Sequence, residues 1–98
     1  MNKQDIIQKL KDNKDIIEKY GITKLFLFGS YARNEATEDS DIDLVYENDS
    51  DKPISYIDYV ELEDFLTKNF NKKIELVNYK YMNPIIKKIA EKDFIYVY

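Results

Sequence analysis

At 98 residues the chain has room for one domain, residues 1–98, built on one core, and none for a second domain that would grip an acceptor. Hydrophobic residues make up 44% and charged residues 35%, too apolar for a disordered chain, and a net charge of −4 argues against direct nucleic-acid binding, which takes a basic footprint. The absence of cysteine and histidine removes disulfides, thiolate nucleophiles and imidazole bases, so any chemistry rests on carboxylates, hydroxyls, lysines, arginine and a bound metal.

Residues 3–20 place Ile6, Ile7, Leu10, Ile17 and Tyr20 at helical spacing around a polar turn at Asn13 and Lys14, which predicts one amphipathic helix that can bend there. Gly21 stands where a helix-ending glycine is expected. Leu25-Phe26-Leu27-Phe28 is short, apolar and aromatic and closes on Gly29, the pattern of a central strand buried on both faces. Ser30 to Arg33 then opens a short helix with the Ser30 hydroxyl near its N-cap, and residues 34–40 form a polar loop. From Asp41 to Tyr46 the residues alternate, which points Asp41, Asp43 and Val45 to one face of a strand and Ile42, Leu44 and Tyr46 to the other.

Residues 48–53 make a second acidic loop, after which Ser55 and Asp58 resemble a capping box. The helix that follows buries a stripe of Tyr59, Leu62, Phe65, Leu66 and Phe70. A short strand over residues 73–77 separates Ile74 and Leu76 from Glu75 and Val77. Asn83-Pro84 then caps a helix expected to turn Ile85, Ile86, Ile89 and Ala90 inward. Lys87, Lys88 and Lys92 would form its solvated face or meet an acidic partner surface, and residues 94–98 alternate as a terminal edge strand. This order predicts an α/β or α+β sandwich, a mixed sheet of about four strands packed by helices. The nine tyrosines fit core or interface positions better than base stacking.

The chemistry concentrates in residues 28–44. Gly29 lets the backbone approach a ligand closely, and Ser30 adds a hydroxyl and an N–H at a helix start, a combination that suits phosphate. Asp41 and Asp43, two residues apart on one strand face, offer hard oxygen ligands to Mg²⁺. Side by side they repel, and a cation removes that cost. Glu75 on a neighbouring strand can share a second ion or take a proton from an attacking hydroxyl. Arg33 either clamps phosphate or pairs with Glu35 or Asp39.

Gly29-Ser30 followed by ten residues and then Asp41-Ile42-Asp43 resembles the signature of the DNA polymerase β-type nucleotidyltransferase superfamily, and the whole chain is similar to its minimal nucleotidyltransferase (MNT) branch. The resemblance rests on residues 28–33 and 40–44 and extends to the closing Phe94-Ile95-Tyr96-Val97-Tyr98. It implies a nucleotidyltransferase fold in which Gly29 and Ser30 bind the triphosphate of ATP, Asp41 and Asp43 hold Mg²⁺, with two ions expected, and Glu75 takes the third carboxylate position. In the family that position is more often Asp, and Asn34 stands where many members have Gly. Members of this branch resemble antitoxins paired with HEPN-domain ribonuclease toxins, some of which transfer AMP to a toxin tyrosine. The resemblance therefore implies a type VII-like antitoxin, alone or in a homo- or hetero-oligomer, that AMPylates a HEPN toxin. The alternatives are a module that neutralises the toxin by binding alone, or transfer to a small molecule. No apolar run approaches the ~20 residues of a membrane span, and residues 1–10 lack a signal-peptide core, so no membrane contact and a cytoplasmic location are expected.

Overall fold

The computed structural model describes residues 1–49 and 53–98, so the middle of the acidic loop expected over residues 48–53 lies outside the described residues. The elements are α1 (Lys3–Asp12), α2 (Lys14–Lys19), β1 (Ile22–Phe28), α3 (Gly29–Ala32), β2 (Ile42–Asn48), α4 (Tyr56–Phe70), β3 (Ile74–Asn78), α5 (Pro84–Ala90) and β4 (Ile95–Tyr96), with short 3-10 turns at Tyr79–Tyr81 and Glu91–Asp93. The N-terminal helix breaks at Asn13, whose side-chain amide donates 2.8 Å back to the Lys9 carbonyl. Gly21 follows at φ +95°, a conformation glycine adopts without the Cβ penalty.

The sheet runs β3-β2-β1-β4. β1 pairs antiparallel with β2 and β4, whereas β2 and β3 are parallel. A parallel pair needs a long crossover, and α4 is that crossover. Ser55 caps it by accepting from the Asp58 N–H at 3.1 Å, and Asn71 at φ 53° ends it.

One face of the sheet carries the core. Leu25 and Leu27 of β1, Ile42 and Leu44 of β2, and Ile74 and Leu76 of β3 pack with Ile6 and Leu10 of α1, Ile17 of α2, and Leu62, Leu66 and Phe70 of α4. The opposite face is covered more thinly. Phe26 and Phe28 are half-buried rather than fully enclosed, which corrects the expectation of a strand buried on both faces. Their cover is aromatic: Phe94 stacks on Phe26 with ring centroids 5.5 Å apart and meets Phe28 edge-on at 5.9 Å. Tyr96 of edge strand β4 meets Phe26 edge-on at 5.7 Å.

A second correction concerns α5. Ile85, Ile86 and Ile89 were expected inward, but they are 71%, 56% and 62% exposed. The helix is rotated so that Lys87 and Ala90 are its half-buried positions, with the Lys87 ammonium 4.0 Å from the Tyr79 ring centroid. The packing partner of this helix is an aromatic ring and not the aliphatic core.

Candidate active site

The thinly covered face holds the chemistry. Phe28, the last residue of β1, lies directly across from Asp43 of β2, so the chain turns into α3 against the Asp43 side chain. Gly29 makes that turn at φ +76°, and a Cβ there would sit 2.2 Å from Asp43 Oδ2. Only glycine satisfies both the dihedral and the space. Because Gly29 already starts the helix, Phe28 occupies the N-cap with no side-chain cap bond, and Ser30, expected near the N-cap, is the second helical residue. Its backbone N–H still belongs to the first turn, where amides have no intrahelical acceptor. The turn out of α3 uses Asn34 at φ 60°. Asparagine is among the few residues that tolerate this left-handed conformation.

Asp41 immediately precedes β2, Asp43 is its second residue, and both are half-buried. The parallel register sets Asp43 level with Glu75 of β3, with the exposed Glu75 side chain on the same face. The two carboxyls approach closely enough to hydrogen-bond when Asp43 carries a proton. Burial first, then that bond and the negative charges of Glu75 and Asp41, push the Asp43 carboxyl from 3.8 up to about 7, against a smaller downward pull from Arg33. Asp43 thus sits among acidic charges that Arg33 only partly offsets.

Arg33 is exposed and splits its guanidinium between Glu35, at 3.0 Å from Nε, and Asp93, at 3.7 Å from Nη1. Glu35 is one of the partners expected from the sequence, and Asp93 replaces Asp39. Asp93 and its neighbour Phe94 were not singled out as site residues. Their place beside Arg33 and Phe28 follows from β4 docking on β1, a pairing across some 70 residues of chain that no local motif announces.

The acids present oxygen donors only, the set that suits a hard divalent cation such as Mg²⁺. Among the described residues no three acidic side chains converge closely enough to cage an ion unaided. That arrangement is compatible with Mg²⁺, which commonly takes one or two carboxylates and completes its shell with water and substrate phosphate. The site therefore fits the pair of a metal and a phosphate-bearing substrate on Asp41, Asp43 and Glu75, next to the Gly29 turn.

A family model described as a nucleotidyltransferase domain matches residues 6–97. A Methanocaldococcus jannaschii protein, MJ1379, named as a candidate protein adenylyltransferase, is 42% identical over 95 residues, covering 95% of each chain. The protein adenylyltransferase MntA of Thermococcus cleftensis is 32% identical over 84 residues, 86% of this chain and 83% of its own. The fold matches a chain in a solved complex of a tri-AMPylated Shewanella oneidensis HEPN toxin with an MNT antitoxin, at TM-score 0.64 and 21% identity over 99% of this chain and 69% of that one. With Gly29, Asp43 and Glu75 brought to one point of a four-stranded mixed sheet, and the family model spanning nearly the whole sequence, the chain belongs to the nucleotidyltransferase domain family.

Proposed function

We propose that this chain is a Mg²⁺-dependent protein adenylyltransferase that moves AMP from ATP to a tyrosine hydroxyl of a HEPN-domain ribonuclease toxin and thereby acts as its antitoxin. The observation that carries the reading is the in-register pair of Asp43 and Glu75 against the Gly29 turn, a partly buried cluster of acids that a metal–nucleotide complex relieves. The names of the sequence relatives support protein as the acceptor, and the MNT–HEPN complex supports its class.

In this reading the backbone of Gly29 and Ser30 holds the triphosphate. Asp41, Asp43 and Glu75 hold Mg²⁺, which when bound neutralises charge on the phosphates. Arg33 is held beside the site by Glu35 and Asp93, exposed pairs worth little that a phosphate can displace. The tyrosine oxygen attacks the α-phosphorus, a new O–P bond forms, and the bond to the bridging oxygen breaks to release pyrophosphate. Glu75, the most exposed of the three carboxylates, accepts the tyrosine proton.

The test is transfer of label from radiolabelled ATP to the HEPN-domain protein encoded in the same genome, with and without Mg²⁺. Label should appear only with metal and disappear with Asp43→Asn; metal-independent labelling, or full labelling by that variant, removes the proposal. Glu75→Gln leaves Asp41 and Asp43 to hold the ion and should keep wild-type ATP affinity while turning over at least ~10²-fold more slowly, as for loss of a general base. Unchanged turnover would leave Glu75 a structural strand residue. If wild type binds and silences the toxin without transferring label, the chain is a stoichiometric binding module.

A further inference from the structure

We infer that the outer face of α5 is the surface on which the acceptor protein docks, through an apolar patch of the partner rimmed by acidic side chains; the inference rests on the reading that the acceptor is a protein. Ile85, Ile86 and Ile89 fall on one side of the helix, all more than half exposed, and a two-turn helix gains nothing from turning three isoleucines to water. Lys88 lies between Ile86 and Ile89 in the sequence of α5 and Lys92 comes just beyond its end, both exposed.

The charge around the stripe is opposite to that of the rest of the molecule. Residues 79–92 hold four lysines and one glutamate, a net +3 in a chain of net −4, so the remainder carries −7. Apolar side chains flanked by exposed lysines in a net-positive segment match a surface with an apolar centre and an acidic rim. A second copy paired through the same patch would bring two net-positive surfaces together, since two-fold pairing uses the same patch on both chains. Nucleic acid would leave the isoleucines without partners.

The patch is also fixed to the site. Asn83 caps α5 by accepting from the Ile85 N–H at 2.9 Å, Lys87 lies on the Tyr79 ring, and the Tyr79 hydroxyl bonds Glu91 in the turn that follows. Asp93 in the same turn pairs with Arg33, and Tyr79 continues the strand that carries Glu75. A protein seated on α5 is thus tied to the site through Asp93 and Arg33, and it brings its own acceptor side chain to the nucleotide.

Ile86→Asp and Lys88→Glu, both on the exposed helix, test this by isothermal titration calorimetry of the full chain against the purified HEPN-domain protein from the same genome. Ile86→Asp should weaken binding about tenfold or more, as for a central interface residue, and Lys88→Glu severalfold. Both should keep wild-type affinity for a fluorescent ATP analogue and a wild-type melting temperature. At saturating acceptor the variants should regain wild-type kcat, which a damaged active site would not. Equal binding of the HEPN-domain protein by wild type and Ile86→Asp overturns the inference, as does a wild type that fails to bind it. It is equally overturned if Ile86→Asp instead splits a homodimer in sedimentation, or releases the chain from phosphatidylglycerol vesicles, while binding of the HEPN-domain protein is unchanged. A wild type that binds through Ile86 yet transfers no label leaves the docking surface standing and removes the transferase reading alone.

Discussion

Asp43 is placed where the fold alone would not choose it. Its carboxyl is ionised near 3.8 in an unfolded chain but only near about 7 in the folded one, so the folded state favours the protonated form. The native state therefore loses stability as pH rises from about 4 to 7 and stays at the lower level above that window. In chelator, Asp43→Asn should flatten this dependence and melt higher than wild type at pH 8 while transferring no label, as calorimetry across pH would show. A variant that melts lower than wild type at that pH would mean that the acids do not oppose one another. Gly29 behaves in the opposite sense. A side chain there meets both a left-handed backbone and an atom 2.2 Å away, so Gly29→Ala should cost at least the ~1–3 kcal/mol of a strained non-glycine residue and lose nucleotide affinity with it. For a domain of this size about 1 kcal/mol lowers the melting temperature by roughly 4–8 °C, within reach of a thermal-shift assay.

At the scale of elements, α5 depends on its cap and its aromatic seat rather than on the core. Asn83→Ala should remove the bond to the Ile85 N–H, cost about 0.5–2 kcal/mol in urea denaturation, and weaken acceptor binding without changing ATP affinity. This helix is also where the sequence was least informative. The spacing of Ile85, Ile86 and Ile89 correctly marks one apolar side, but periodicity states only that a side is apolar and not whether the molecule itself covers it. That depended on Tyr79 lying under Lys87, a contact between two segments whose meeting no local pattern encodes. The position of Ser30 was missed by one residue for a similar reason: α3 starts at Gly29, in a turn packed against Asp43 of a different strand, which no local pattern announces. By contrast, the break at Asn13, the cap at Ser55 and the alternation through Asp41, Ile42, Asp43 and Leu44 were legible because each is decided by residues within a turn of one another.

Across the whole molecule a single aliphatic layer holds the sheet to α1, α2 and α4. Leu66 is fully buried within it, so Leu66→Ala should cost about 2–5 kcal/mol and lower one cooperative transition rather than create two; separate transitions in a calorimetric scan would show the layer to be divided. The mixed sheet was readable from element order, whereas the arrangement that pairs Phe28 with Asp43 and Asp43 with Glu75 was not, since register is a property of strands taken together. That register has a further consequence. Ile74 and Leu76 are 1% and 5% exposed, and Glu75 stands between them on the other face. Sliding β3 by a single residue would drive the carboxylate into oil and expose both aliphatics. Misaligned forms are thus eliminated by the same burial that folds the chain, and the core serves as the gauge that sets the spacing of the acids: copies that pass it carry Glu75 opposite Asp43, whatever the loops between the two strands become.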